Sequence, residues 1–193
     1  MSSTLLVEKR PSEARERLLS TASELFYREG IHSVGVDRVV LTAGVTRATF
    51  YRHFPSKEDL VEAYLDREDT SIRSRLAAAR EHGPSPDELL EILIQRVADD
   101  VTFLHTRGCP FINASAEYPD ASSRVRVAVR EHRAWFKDEL RGALEAAGRP
   151  DPSGAAAALV LLRDAALVGG YLDGPDAMRD TFVATARTVA GLS

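Results

Sequence analysis

Residues 36–60 read VDRVVLTAGVTRATFYRHFPSKEDL, and the punctuation of this stretch decides how the chain folds. Val36, Val39 and Val40 mark one apolar helix face before Ala43-Gly44-Val45. Ala48, Phe50, Tyr51 and Phe54 resume a helical pattern after it. Gly44 has no Cβ and enters the left-handed backbone region without steric cost, a common way for a helix to end. Val45 is placed to plug the gap between two helices, and the Thr46 hydroxyl is placed to accept from the free N–H groups that open the second. Two helices crossing steeply through a short turn that contains glycine make a helix-turn-helix.

The second helix is more polar than packing requires. Thr46, Arg47, Thr49, Arg52 and His53 leave Phe50, Phe54 and Ala48 for the interior. Arg47, near the helix N-terminus, suits guanine O6 and N7 in a major groove, and Thr49 suits a base edge or a thymine methyl. Tyr51, His53 and Lys57 suit phosphate oxygens, which fix register without reading sequence. A solvated amphipathic helix is the alternative at this level, because short helix-turn-helix patterns also arise by chance.

The run AGVTRATFYRHFPSKEDLVEAYL, residues 43–65, resembles the DNA-binding domain of the TetR/AcrR family of bacterial transcriptional regulators. The resemblance is carried by Ala43-Gly44-Val45, by Tyr51-x-His53-Phe54, and by Pro55-Ser56-Lys57 followed by an acidic pair and Leu60. An upstream amphipathic helix ending in Phe26-x-x-x-Gly30 also fits. It is specific over roughly residues 12–66 and architectural beyond. It implies base or near-base contacts from Thr46, Arg47, Ala48 and Thr49, and phosphate contacts from Tyr51, His53 and Lys57; Arg52 is counted with this DNA-facing set. One departure is that Gly35 stands where the family usually opens its first helix-turn-helix helix with Ser or Thr. A hydroxyl cap and phosphate contact is thereby missing, and Ser33 and Arg38 are the candidates to replace it.

With 193 residues, 44% of them hydrophobic, the chain can bury a real core as one domain or two small ones. Sparse aromatics and abundant Ala, Leu, Arg and Glu favour helices. The net charge of −4 argues mildly against a nucleic-acid partner, but residues 1–66 are near neutral and the excess acid lies mainly beyond them. A near-neutral reading head predicts weak nonspecific binding and a modest salt slope. The single cysteine, Cys109, excludes an intramolecular disulfide and offers no metal-ligand set. Neither a secretory leader nor an apolar run approaching a membrane span is evident, so the expectation is a soluble cytoplasmic protein with no membrane partner.

Periodicity predicts about nine helices and an all-α fold. Residues 1–11, with Lys9 and Arg10, read as an arm that either touches a minor groove or is simply solvated. A first helix from Ser12 carries the stripe Leu18, Leu19, Ala22, Leu25 and Phe26; the helix-turn-helix pair spans about Val36–Ala43 and Thr46–Phe54. A long helix from Lys57 to about His82 opens on Ser56 and Asp59, which resemble a capping box. It is shared by both halves and is the natural lever between them. Gly83-Pro84-Ser85-Pro86 marks a boundary, and Ser85 with Glu88 forms a second box with Pro86 at the first helical position. The next helix carries Leu89, Leu90, Ile92, Leu93, Val97, Val101 and Leu104 and closes at Arg107-Gly108. Helices follow over about Pro110–Tyr118, Ala121–Ala147, from Asp151-Pro152 onward, and from Pro175 to about Leu192. Domains are expected at 12–57, with the first turns of the long helix to about 66, and at 58–193.

The last two helices are rich in small residues and suit a four-helix dimer interface with their symmetry mates; packing within the monomer is the alternative. In the family the body encloses a small effector. Phe103, Phe111, Asn113, Glu117, Trp135 and Arg163 would offer apolar walls with a few polar anchors here. His105, Cys109 and Glu117 suggest a nucleophile with its base or a metal site only if one helix runs through them, and Arg107-Gly108 with Pro110 argues that it is broken. No catalytic set, cofactor motif or metal motif is evident. The sequence therefore reads as a homodimeric, effector-released repressor of a palindromic operator, with no enzymatic activity.

Overall fold

The computed structural model describes residues 12–192, so the arm with Lys9 and Arg10 lies outside the described residues. Among these the chain is all-α, with nine helices and one π-helical turn. They are α1 (Glu13–Glu29), α2 (Val36–Ala43), α3 (Arg47–His53), α4 (Lys57–Glu81), α5 (Pro86–Asp99), the π turn (Asp100–Leu104), α6 (Pro110–Glu117), α7 (Arg124–Ala146), α8 (Pro152–Asp173) and α9 (Pro175–Ala190). Two compact units, a head and a body, divide between Tyr64 and Leu65, inside α4.

In the head, the periodic stripe of α1 is its buried face: Leu18, Leu19, Ala22, Leu25 and Phe26. α1 packs on α2 and α3, and Phe26 meets Tyr64 edge-on at 6.0 Å. Phe50 of α3 is fully buried, as are Leu18, Leu60 and Val61; each large side chain of this kind stabilises by about 1.5–3 kcal/mol. Gly44 ends α2 at φ 63°, ψ 41°. There its N–H donates to the Leu41 carbonyl at 3.3 Å and the Val45 N–H to Val40 at 3.2 Å, so the left-handed residue returns two orphan carbonyls to hydrogen bonds. α2 itself starts at Gly35 with no side-chain cap. The departure from the family pattern is thus not made good by a hydroxyl cap, and Arg38 instead pairs with Glu29 at 3.3 Å.

Ser56 supplies its half of the expected box: its hydroxyl accepts from the Asp59 N–H at 3.1 Å and donates to the Asp59 carboxylate at 2.6 Å. The Ser85–Glu88 box is formed in both directions, at 3.4 and 2.7 Å; these bonds from Ser85 hold the Glu88 carboxyl below its ordinary pKa.

The body holds the larger differences from the periodicity reading. α5 does not continue regularly to Arg107: after Asp99 it widens into the π turn, where His105 N–H donates to the Asp100 carbonyl at 2.7 Å. Thr102 Oγ1 takes the Ala98 carbonyl at 2.9 Å, competing for an acceptor that a regular helix gives to backbone N–H. The slip leaves Leu104, expected inside, exposed together with Phe103, while Asp100 and Val101 are buried. α7 starts at Arg124 rather than Ala121, since Ser123 Oγ accepts from Arg126 N–H at 3.3 Å and fixes the start. α8 packs on α7, α9 and the π turn. Its small residues serve close approach within the chain: a Cβ on Gly170 would lie 2.7 Å from Val101 Cγ1, and one on Gly169 2.6 Å from Met178 Sδ. α8 also corrects the expectation that no apolar run approaches a membrane span. Its mean hydropathy reaches 1.6, long and apolar enough by length and composition to cross a membrane, although Arg163 and Asp164 stand in its middle.

Gly44→Ala is expected to destabilise the protein by about 1–2 kcal/mol, the cost of placing a Cβ in the left-handed region. No atom lies within 4 Å of that Cβ, so Gly44→Asn should recover much of the loss. Urea unfolding of the three proteins measures this, and equal losses for both variants would point to a clash instead.

Candidate nucleic-acid interface and body cavity

α3 is held by its cap. Thr46 Oγ1 accepts from the Thr49 N–H at 3.1 Å and shares a proton with the Thr49 hydroxyl at 2.9 Å. Phe50 anchors the inner face at 5.1 Å from the Tyr51 ring and 6.0 Å from Phe54. The outer face then presents Thr46, Arg47, Ala48, Tyr51 and Arg52 to solvent, with Thr49 and His53 half-buried. Ala48, one candidate for packing, is exposed because Phe50 and Phe54 already fill the space beneath.

The basic side chains of this face rest on neighbours within the head. Arg47 Nη1 donates to Asp37 at 2.6 Å and Nη2 to the Tyr51 hydroxyl at 3.5 Å; Tyr51 and then Asp37 raise the guanidinium pKa still further. Arg52 donates to Thr49 Oγ1 at 3.4 Å, His53 Nε2 lies 3.3 Å from Ser12 Oγ, and the Lys57 ammonium sits 5.9 Å from the Phe26 ring centre. Exposed ion pairs of this kind are weak and exchange readily for a stronger anion.

The body contains a cavity of about 40 Å³ walled by α4, α5, the π turn, α7 and α8. Ile72, Leu76, Leu93, Val97, Trp135 and Phe136 supply its apolar wall, and Arg75, Arg96, Asp100 and Arg163 its polar groups. Of the six residues expected around an effector, it brings together Trp135 and Arg163. Phe103 is 70% exposed on the π turn. Phe111 is buried and stacked on His132 at 3.7 Å. Asn113 donates to the Arg107 carbonyl at 3.0 Å across the loop before α6, and Glu117 is half-buried at the end of α6, away from the wall. His105 and Cys109 stand on opposite sides of a broken helix, at the end of the π turn and at the start of α6. Among the described residues no cluster of His, Cys, Asp or Glu has metal-binding geometry.

Beside the cavity lies a polar core. Asp69 accepts from His132 Nδ1 at 2.7 Å and from Arg73 Nε at 2.6 Å; Arg73 lies 4.1 Å from the Trp135 ring centre, and Trp135 Nε1 donates to Glu139 at 3.0 Å. Burial pushes the His132 pKa down to about 4, against the Asp69 hydrogen bond, with Arg163 and Arg73 pushing the same way as burial. The ring is therefore neutral at pH 7 with its proton on Nδ1, and the buried Nε2 finds no hydrogen-bond donor among the described residues. On α8, Asp164 accepts bidentately from Arg133 at 3.0 and 2.7 Å, which raises the Arg133 pKa.

Sequence reasoning missed His132, Asp69, Arg75, Arg96 and Asp100. A usable signal existed for two of them. His132 interrupts the apolar series Val125, Val129, Phe136, Leu140 at helical spacing, and Asp100 stands between Val97 and Val101; a polar residue inside a buried stripe needs a partner.

Residues 18–64 match the family model described as bacterial regulatory proteins, tetR family. The whole fold superposes with a TM-score of 0.88 on SCO4454, a TetR-family transcriptional regulator from Streptomyces coelicolor, at 44% identity over 92% of this chain and 94% of that one. Among curated relatives, the HTH-type transcriptional repressor NemR of Escherichia coli is 29% identical over 61% of this chain and 60% of its own length. The HTH-type transcriptional activator FasR of Mycolicibacterium smegmatis is 30% identical over 60% of this chain and 53% of its own. The matches thus span little more than half of these curated relatives. The chain belongs to the TetR family of DNA-binding transcriptional regulators, a family of regulators rather than enzymes.

His132 gives the body a defined acid response. Its unfolded pKa of about 6.5 exceeds the folded value of about 4, so the unfolded chain binds the extra proton and stability falls as pH drops from 6.5 towards 4. The loss is on the order of 3 kcal/mol at most. His132→Phe, which keeps a ring against Phe111, should flatten this pH dependence in urea unfolding; an unchanged slope would show that His132 is not held neutral.

Proposed function

We propose that this protein is a ligand-responsive repressor that binds a palindromic operator as a homodimer and is released from it by a small-molecule effector. The observation that carries the reading is the exposed face of α3, whose Thr46, Arg47, Ala48 and Thr49 stand ready for base edges. Tyr51, Arg52, His53, Lys57 and Arg38 supply the phosphate side. Arg47 leaves Asp37 for a guanine because bidentate acceptors O6 and N7 match its fork, and the exposed ion pair it gives up is weak. Residues 12–57, with α4 to about 66, form the DNA-binding domain in this reading, and residues 58–193 the effector-binding and dimerisation domain. Operation in the cytoplasm follows from the DNA partner.

One reading helix covers too few bases for useful specificity, so two are required, about 34–36 Å apart on successive major grooves. The dimer is assigned to α8 and α9. Support comes from an apolar stripe on α8 left facing solvent in the single chain: Leu161 and Leu172 are each 69% exposed, with Val168 and Tyr171 between them. The effector acts through differential affinity for two arrangements of the dimer, and α4, one unbroken helix belonging to both units, is the element through which it would act.

Selection of binding sites from a random double-stranded DNA pool is the direct test. A palindromic consensus is the expected result; no enriched sequence at low salt and without ligand would leave a sensor that does not read DNA. Arg47→Ala should weaken the selected site by about tenfold or more per half-site and relax one base position. Leu161→Glu combined with Leu172→Glu should yield monomers in sedimentation velocity, and a dimer that survives both changes would move the interface away from α8.

A further inference from the structure

The cavity wall is cationic beyond what its own acids compensate. Arg75 Nη1 is paired with Asp100 at 3.0 Å, which accounts for the one carboxylate in the wall. Arg163, only 5% exposed, is served poorly: Nη1 reaches Asp164 at 3.3 Å and Nη2 reaches Cys109 Sγ at 3.7 Å. Both oxygens of Asp164 are already engaged more closely by Arg133. Arg96, exposed at the rim, makes no ion pair among the described residues. A guanidinium offers five donors in a fork shaped for a carboxylate or phosphate, and Arg163 shares its one carboxylate with Arg133, its remaining contacts being the Cys109 sulfur and the Phe136 ring face.

Size and polarity narrow the complement. The volume of about 40 Å³ falls short of the ~150 Å³ of a closed cavity that holds benzene, so the enclosed part takes a polar head and its first carbons, and any ring or branch stays at the mouth. Leu76, Leu93 and Val97 offer contact but no hydrogen bond. Trp135, whose N–H is already given to Glu139, adds a flat apolar wall.

Resting on the reading of the body as an effector-binding domain, we propose that the effector is a compact organic monoanion with an apolar tail, of the size of a branched short-chain or single-ring carboxylate. Its charged head lies on Arg163, its first carbons among Leu76, Leu93 and Val97, and its tail towards the mouth, where Arg96 adds attraction.

The chain has a single tryptophan, and it lines this cavity, so its fluorescence reads occupancy without a label. Benzoate and isovalerate would be titrated into the full-length protein, with calorimetry alongside, against benzamide, isovaleramide and benzylamine. Both acids should bind saturably and change Trp135 emission, with the amides weaker by about tenfold or more, as loss of a charge-assisted bidentate pair requires. Arg163→Gln should abolish the preference. Because a buried substitution can unfold the body, the exposed Arg96→Glu is the second variant, and it should weaken the acids by about fivefold or more while leaving the amides unchanged. Amides that bind as well as the acids, a preference for benzylamine, or no acid binding at millimolar concentration would each overturn the proposal. Operator release is scored separately. An acid that binds without releasing DNA upholds the anion site and sinks the effector reading, whereas a neutral or cationic ligand that binds the cavity and releases DNA does the reverse.

Discussion

Arg163 carries a guanidinium into the interior of a helical body, and much of that body's arrangement answers to it. A charge taken out of water must find partners, and here they come from three directions: Asp164 beside it on α8, Cys109 at the start of α6, and the face of Phe136 on α7 at 5.1 Å. Asp164 in turn is gripped by Arg133 of α7. The same logic repeats nearby, with Asp100 on the π turn held by Arg75 of α4 and His132 of α7 held by Asp69 of α4. Apart from Arg163 with Asp164, both on α8, each of these pairs joins two different elements. Such pairs add little net stability over an apolar replacement, but losing one partner leaves a stranded charge that costs several kcal/mol. The apolar stripes supply the area that makes the helices pack, and the polar pairs select one arrangement among the many that would bury that area.

The head follows a different rule. Its fully buried side chains are mainly apolar, ordered by Phe26, Phe50 and Leu60, and its DNA-facing side carries exposed, exchangeable pairs such as Arg47 with Asp37 and Arg38 with Glu29. A rigid helix bearing side chains that are held but not committed is suited to meeting a phosphate backbone, where hydrogen bonds must be re-made without reorganising the scaffold. The relatives show that this scaffold does not dictate the sign of regulation, since one bears the name of a repressor and another that of an activator.

How much of this was legible in the sequence depended on distance along the chain. The turn at Gly44, the cap at Thr46, the box at Ser85 and the buried stripe of α1 are local events, written in residues three or four apart, and they could be read directly. The π turn could not, because apolar periodicity carries a regular helix through Val101 and Leu104, and the Thr102 bond to the Ala98 carbonyl is of a kind that α1 and α9 accommodate without widening. The cavity was half legible. Trp135 and Arg163 stood out as types, but Arg75, Arg96 and Asp100 take their meaning from partners on other helices, and Phe111 was claimed by His132. Residue type announces a candidate anchor, whereas which candidates share a wall is settled by the tertiary fold.

The order of synthesis gives α8 one more significance. Within the head, α1, α2 and α3 pack on one another and have all emerged by His53, but α7 and the π turn wait for a helix that begins only at Pro152. Translation at roughly 5–20 residues per second leaves the apolar faces of α5 and α7 uncovered for several seconds after they emerge. The segment that finally covers them is itself apolar enough to be taken for a membrane span. Until then those faces lack their cover, and the charged pair Arg163–Asp164 in the middle of α8 would be costly in a bilayer but finds partners in the protein interior.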